Sequence, residues 1–551
     1  MMQPQRTLHE FHGGLQLEDH KSTSTSRPIE EAPVPAQLVL PLLQHIGNPA
    51  RPIVSVGDTV LKGQMVAEAD GRVSVPVHAS SSGTVVAIEP RDVPHASGLK
   101  AMCIVIETDG EDREIETNTV ADFTSLSPDE VRERVLSAGI VGLGGAGFPS
   151  YIKLNPQTFA VDTLILNAAE CEPYITCDDM LMRERAAEVI AGARIMQYAL
   201  HAKTCVIGIE DNKIDAYAAL QQALADSDDI ELVRVPSRYP AGGEKQMIYT
   251  LTGKQVPSHT RPLEIGIICH NVGTAAAVYD AIMHGEPLLS RTVTLTGSGI
   301  PQPRNLQVRI GTPIEDLLSL CHSNTGDIDR LMIGGPMMGF DLQATAAPVT
   351  KVCNCVLAIH TRDHLPPQAT MPCIRCGECA NVCPAQLLPQ QLYWHARAQE
   401  FDHIQDHHLF DCIECGCCDV VCPSHIPLVQ FFRFAKTTIW QQERDKHKSD
   451  RARGRHEFKL ERLEREKQEK RERHNRKKAA LKKDTDKQGD DPKKAAILAA
   501  MKRVQEKKTT ATPHPKNVDH LTPEQQQQID EVDKRRAEHK AAEKEETDKP
   551  S

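Results

Sequence analysis

The chain has 551 residues, more than one ordinary domain accommodates, so three or four domains are expected. Hydrophobic residues make up 40% of it and aromatics 4%, and no stretch approaches 18 uninterrupted apolar residues, which argues against a membrane-spanning helix. The formal net charge of −11 hides an asymmetry: residues 1–440 hold 32 Lys+Arg against 51 Asp+Glu, and residues 441–551 hold 32 against 24, so an acidic body, ill suited to nucleic acid, carries a basic tail.

Residues 1–30 are polar and read as an irregular N-terminus. Over residues 31–115, short β-type runs such as Pro52–Val60 and Ser82–Glu89 are separated by turn residues. The pattern is similar to the barrel-sandwich fold of biotinyl and lipoyl domains. Where those domains carry their modified lysine, the hairpin tip here reads Ala69-Asp70-Gly71-Arg72-Val73. Without a lysine there is no swinging arm, and the module reads as a docking piece.

Residues 125–285 alternate apolar strands (Leu164–Asn167, Thr204–Ile209) with helical patterns, including one long helix over Asp179–Leu200, and predict an α/β sheet. Inside this region lies Gly142-Leu143-Gly144-Gly145-Ala146-Gly147-Phe148-Pro149, followed by Lys153. Glycines let backbone amides approach a phosphate, and a lysine supplies countercharge. No acidic ribose-binding residue is cleanly placed about 20 positions on, as a dinucleotide fold requires, and Pro149 follows early. A nucleotide or flavin loop and a plain structural turn both fit the pattern.

From 288 to 345 the text returns to β, with Thr292–Leu295 and Leu331–Gly335, and a small β-grasp (soluble-ligand-binding-like) module fits. Residues 363–436 contain two near-identical runs, Cys373-x2-Cys376-x2-Cys379-x3-Cys383-Pro384 and Cys412-x2-Cys415-x2-Cys418-x3-Cys422-Pro423. Three thiolates must converge on one cube face, so the chain turns tightly at Gly377 and Gly416, and each proline sharpens the exit. Zinc sites show paired cysteines with a longer gap. Disulfides need an oxidising compartment, and no signal peptide is read that would deliver the chain to one. The spacing is that of bacterial ferredoxins holding [4Fe–4S] clusters, in which the fourth cysteine of each run ligates the other cluster. That resemblance implies one cluster on Cys373, Cys376, Cys379 and Cys422, and a second on Cys412, Cys415, Cys418 and Cys383, with Cys417 a bystander.

Residues 441–551, rich in Lys, Ala and Glu, cannot bury a core and read as solvated helix or disorder, either an inert extension or a surface for anionic lipid or an acidic partner. Lys477–Leu481 and Lys493–Leu498 echo each other weakly. Three side features are read as bland: Cys353 and Cys355 as buried thiols, His403, His407 and His408 as a solvated helix face, and Cys171 as a thiol made unreactive by acidic neighbours.

The glycine loop with its lysine resembles the flavin loop of the NADH-oxidising, FMN-carrying subunit of respiratory complex I. In the same order, Asn167-Ala168-Ala169-Glu170-Cys171-Glu172-Pro173, Tyr239-Pro240-Ala241-Gly242-Gly243-Glu244 and Asn271-Val272-Gly273-Thr274 resemble further segments of that family. The likeness implies FMN contacts by Gly142, Gly144, Gly145, Lys153, Asn167, Glu170 and Asn271, and NADH contacts by Phe148, Glu172, Tyr239 and Glu244. Leu143, Gly243 and His270 depart from the pattern, and that family's own single-cluster cysteine motif is missing.

The order of a lysine-less barrel-sandwich, flavin-type α/β domain, β-grasp, two-cluster ferredoxin-type segment and charged tail resembles the RnfC/RsxC family, the C components of Rnf/Rsx ion-translocating electron-transport complexes, over residues 5–440. The family implies a peripheral subunit on the cytoplasmic side of the bacterial inner membrane, with integral-membrane partner subunits, ferredoxin as a candidate partner and no nucleic acid. It implies electron transfer between NAD(H) and ferredoxin-level carriers through FMN and two [4Fe–4S] clusters, coupled to ion translocation. No side chain is assigned a catalytic role, because the cofactors carry the chemistry. The competing readings are a soluble diaphorase-type subunit of a hydrogenase-like complex and a non-catalytic iron–sulfur adaptor.

Overall fold

The computed structural model describes residues 6–224, 229–363, 368–485, 492–510, 526–527 and 529–535. The first residues of the N-terminus, residues 364–367 of the expected ferredoxin-type segment and much of the expected tail lie outside them.

The barrel-sandwich consists of two small antiparallel sheets. One orders Gln37–Pro41, Ala101–Thr108, Gly83–Arg91 and Thr59–Val60, and the other Arg51–Pro52, Met65–Glu68 and Val77–His78. The run expected as one strand over Pro52–Val60 is two short strands, because Gly57 turns the chain at φ 98°. Alternation along Gly83–Arg91 puts Val85 inside and Thr84 and Val86 outside. The lysine-free tip is seated on the next domain, where Tyr151 Oη donates to Arg72 O at 2.8 Å.

The α/β domain has a four-stranded, wholly parallel sheet in the order Ile230–Val235, Thr204–Glu210, Thr163–Ala168, Ile267–Asn271. Helices cover both faces, so the strands read as continuous apolar runs; Leu164, Ile165 and Leu166 are all fully buried. One apolar core joins this domain to the barrel-sandwich, from Leu38 and Ile104 to Val189 and Ile282. The helix expected over Asp179–Leu200 is two helices, Cys177–Glu184 and Ala186–Leu200. The break is at Arg185, whose backbone leaves the helical region (φ −125°, ψ 36°) while its guanidinium donates to Asp280 Oδ1 at 2.7 Å.

A six-stranded mixed sheet follows, in the order Glu30–Glu31, Arg304–Arg309, Ser290–Thr296, Cys355–His360, Ile328–Ile333, Phe340–Asp341. Helix Ile314–Leu320 packs on it through Ile314, Leu317 and Leu318. Two of its strands fall outside the expected 288–345: Glu30–Glu31 at the edge, and Cys355–His360, which lies parallel to Ser290–Thr296 in the middle of the sheet. Cys353 and Cys355 are both fully buried there.

The described residues of the cysteine segment are helix and loop. Helices Glu378–Asn381, Pro389–Ala398, Phe401–Asp406 and Cys417–Val420 surround a core of Leu392, Ile404, Leu409 and Phe432. The basic region folds as helix, Leu428–Thr485 and Pro492–Thr510, and its described side chains beyond Arg444 are exposed, with Leu463 at 39% among the least so. Among the described residues no helix is long and apolar enough to cross a membrane.

Candidate functional site

The glycine loop is anchored at its base and open at its tip. Gly142 N donates to Phe148 O at 2.8 Å and Gly147 N to Gly142 O at 3.2 Å. Leu143, the departure from the complex I pattern, turns its side chain into the core; its amide donates to Thr274 Oγ1 and its carbonyl accepts from the buried Arg291 guanidinium. Gly144, Gly145 and Ala146 stand exposed, and among the described residues no hydrogen bond engages their amides. Gly145 adopts φ 100° with nothing within 4 Å of where a Cβ would sit, and a Cβ on Gly144 would lie 3.2 Å from Asn271 Cβ. Three successive open amides beside a close-packed asparagine form a cradle that fits a phosphate-bearing cofactor.

The loop faces the carboxyl ends of two adjacent parallel strands, where Asn271 and Asn167 are register partners. Most of the expected cofactor residues here are already engaged. Asn271 Oδ1 caps its own helix at Gly273 N (2.8 Å), and its Nδ2 donates to Asp178 Oδ2 at 2.6 Å. Asn167 Nδ2 donates to Gly242 O at 2.7 Å. The buried Glu170 carboxylate accepts from Asp178 N (2.8 Å) and Asp179 N (3.3 Å), at the N-terminus of helix Cys177–Glu184. Asp178 is pushed up to about 6, by burial first and by Glu170 second. Lys153 reaches Glu244 Oε1 at 2.6 Å and Cys269 O at 2.8 Å, which joins an expected flavin contact to an expected nicotinamide contact. His270 is buried with Nε2 unpartnered, and burial pushes its imidazolium down to about 3, so the ring is neutral.

Two of the expected NADH contacts, Glu172 and Tyr239, hold partners outside the cradle. Glu172 Oε1 accepts from Met337 N (2.7 Å) and Met338 N (2.9 Å), clamping the loop after strand Ile328–Ile333, and burial raises its carboxyl. Tyr239 is 3% exposed, and its hydroxyl donates to Cys415 O at 2.6 Å. Both are thus engaged at joints between segments. Phe148, half-buried in the loop, and Glu244, heading helix Glu244–Thr252, remain at the cradle.

The two cysteine runs repeat the same backbone 39 residues apart. Arg375, Gly377 and Gln386 have φ of 59°, 85° and 54°; Glu414, Gly416 and His425 have 58°, 77° and 49°. Cys373, Cys376, Cys379 and Cys422 line one cavity of about 510 Å³, and Cys383, Cys412, Cys415 and Cys418 line a second, smaller one. Of the motif cysteines, each cavity thus takes three from one run and the last from the other, a four-thiol donor set that fits a cubane cluster; Cys417 also lines the second cavity. Amides point at the sulfurs, Glu414 N to Cys412 Sγ and Leu387 N to Cys383 Sγ, each at 3.4 Å. Burial pushes the Cys412 thiol up to about 12, so a bare thiolate is disfavoured there and a metal core would carry the charge. The sets differ in access: Cys376 is exposed, whereas Cys415 is buried beside Tyr239 of the α/β domain and Cys383 and Cys418 are buried in the cysteine segment's own core. Cys417 is fully buried beside Tyr239 and Cys415.

Several participants escape a reading by motif. The N-terminal segment crosses the joint: Lys21 Nζ donates to the carbonyls of Glu170 (2.7 Å), Glu172 (2.9 Å) and Ile175. Lys351 is buried and donates to Pro76 O (2.9 Å) and Gly139 O (2.7 Å), tying three domains together. Cys171 does have a raised pKa, but burial and Glu210, from another strand, outrank its flanking Glu172. His407 is not simply solvated; its ring stacks on His395 at 5.1 Å, while His403 and His408 are exposed.

Comparison with known proteins places these features in a family. Residues 135–280 match the Nuo51 FMN-binding domain, 9–111 the RnfC barrel sandwich hybrid domain, and 372–426 a 4Fe-4S dicluster domain. The chain is 49% identical over 396 residues to the C component of the ion-translocating oxidoreductase complex of Pseudomonas aeruginosa, covering 72% of this chain and 51% of that one. It is 46% identical over 498 residues to the protein of the same name from Serratia proteamaculans, covering 90% and 70%. The chain thus spans between half and about three quarters of the length of such relatives. An NAD+-reducing [NiFe]-hydrogenase in its H2-reduced state overlaps with a TM-score of 0.41 at 19% identity, over 54% of this chain and 59% of that one. On residues, geometry and relatives together, the chain belongs to the RnfC family, the C components of ion-translocating oxidoreductase complexes.

Proposed function

We propose that this chain is the peripheral electron-transfer subunit of an ion-translocating oxidoreductase complex. It sits on the cytoplasmic side of a bacterial inner membrane and exchanges electrons between NAD(H) and ferredoxin-level carriers on behalf of integral-membrane partners. The observation that carries the reading is the placement of two four-cysteine sets, one buried against the α/β domain through Tyr239 and the other opening to solvent at Cys376.

In this reading the amides of Gly144, Gly145 and Ala146 and the Lys153 ammonium hold the FMN phosphate end, while Gly142, Asn167, Glu170 and Asn271 fix the walls around it. Phe148 and Glu244 lie where a nicotinamide would approach. Cys373, Cys376, Cys379 and Cys422 hold one cluster and Cys412, Cys415, Cys418 and Cys383 the other. When bound, FMN supplies two-electron exchange with nicotinamide and the clusters supply one-electron transfer. The protein sets distances: the buried set is the neighbour of the flavin-type domain, and the exposed set is the outlet toward a partner.

The six-stranded sheet is read as a β-grasp module, supported by a hairpin, a helix and a last strand inserted in the middle parallel to the first. A second reading, an iron–sulfur adaptor that binds no nicotinamide, is favoured by the internal engagement of Glu172 and Tyr239. Anaerobic purification with iron and flavin assay, then dialysis against NADH, separates the two. The proposed function expects bound flavin, about eight irons and NADH binding; flavin and iron with no NADH binding would leave the adaptor.

A further inference from the structure

One turn of the N-terminal segment is bonded to both sides of the joint between the α/β domain and the cysteine segment. Leu15 N donates to Tyr239 O at 2.7 Å, and Tyr239 N donates back to Leu15 O at 2.9 Å. Just before it, Gly14 N donates to Val382 O at 2.9 Å, and the His12 ring nitrogen Nδ1 lies 3.1 Å from Cys383 O. The turn admits no side chains. Gly13 and Gly14 have φ of 68° and 78°, and a Cβ on either would meet a carbonyl oxygen at 2.5 Å, that of Val382 or of Tyr239. On its other side Tyr239 sends its hydroxyl to Cys415 O at 2.6 Å, packed among Cys415, Cys417 and Leu15.

We propose that Tyr239 and the Gly13–Gly14 turn form a positioning clasp for the cluster held by Cys412, Cys415, Cys418 and Cys383. The clasp rests on the crossed ligand sets of the proposed function. Its geometry is selective. Together with the preceding His12, it grips the main chain at two of that cluster's four ligands, Tyr239 at Cys415 from the second run and His12 at Cys383 from the first, with Gly14 on Val382 beside it. None of the hydrogen bonds described for Tyr239, Gly13 or Gly14 reaches Cys373, Cys376, Cys379 or Cys422. Outer groups that fix ligand carbonyls and donate near the sulfurs orient the ligands and stabilise the more negative, reduced cluster. The buried Tyr239 hydroxyl fixes the Cys415 carbonyl in this way.

The test uses the full chain purified anaerobically, with redox titration followed by electron paramagnetic resonance. Cys412→Ser identifies the signal of the clasped cluster by abolishing it, and Cys376→Ser does the same for the other. Tyr239→Phe is expected to keep the iron content and lower the clasped cluster's one-electron reduction equilibrium about tenfold, ~59 mV, with the other signal unmoved. Gly13→Ala is expected to broaden or shift that same signal. A Tyr239→Phe protein with both signals unmoved, both moved equally, or only the Cys412→Ser-resistant signal moved would overturn the clasp. If Cys412→Ser and Cys376→Ser abolish the same signal, or the wild type holds one cluster, the two-cluster reading itself falls and takes the clasp with it.

Discussion

The cysteine segment and the glycine-loop domain hold their chemistry in opposite ways. Each cysteine run places three cysteines within seven residues on a turn whose backbone is repeated 39 positions later, so in the proposed ligand sets most of a metal site is local and only the fourth cysteine is exchanged. The glycine loop, by contrast, draws its walls from residues 142–153, 167–170, 242–244 and 270–274, brought together only by the parallel sheet. Its polar residues also serve the fold: Glu170 and Asn271 cap helices, and Asn167 holds the Gly242 carbonyl. A thiol at a cluster spacing has one use, whereas a carboxylate or amide in a flavin motif has several. The motif therefore locates the site without saying which groups are free to meet a ligand.

The largest effect that would sharpen this contrast is at the exchanged ligand. Cys383→Ser is expected to remove the cluster of the second run and about half the iron, read by iron assay and low-temperature resonance; loss confined to the first run would break the crossed arrangement. Next is the loop. Lys153→Met removes the cation at the cradle, a charge-assisted contact of about 1.5–3 kcal/mol, and flavin affinity measured by fluorescence should fall about ten- to hundredfold with the iron retained.

A smaller effect is at the joint between domains. Burial pushes Lys351 down to about 7 from 10.5. Between these values the unfolded chain binds more protons than the folded one, so stability rises with pH from about 7 to 10.5 and is flat above 10.5. Lys351→Met should flatten that slope in thermal melts taken across the range. Smallest is the tail. Removing residues 445–551, a contact unit of its own, should leave iron content, flavin content and melting temperature of the remainder unchanged.

What could be read beforehand follows the same division. The paired cysteine runs, the α/β sheet around Leu164–Asn167 and the buried Cys353 and Cys355 are local or compositional signals. The rest is tertiary. The Arg185 break needs Asp280 nearby, and Cys355–His360 becomes a strand only between Ser290–Thr296 and Ile328–Ile333. Residues 8–21 have no periodicity because they are a strap, bonded in turn to Thr250, Val382, Tyr239 and Glu170. Tyr239 matched a nicotinamide motif, yet its hydroxyl lies on Cys415, a partner 176 positions away.

In the proposed function the flavin-type site and the buried cysteine set are neighbours in one electron path. Stepwise NADH titration of the anaerobic full-length protein, followed by visible absorbance and low-temperature resonance, tests it most directly. Bleaching of the flavin band together with a cluster signal that Cys412→Ser abolishes is the predicted result. Flavin and both clusters staying oxidised under NADH, while dithionite reduces them, would contradict it.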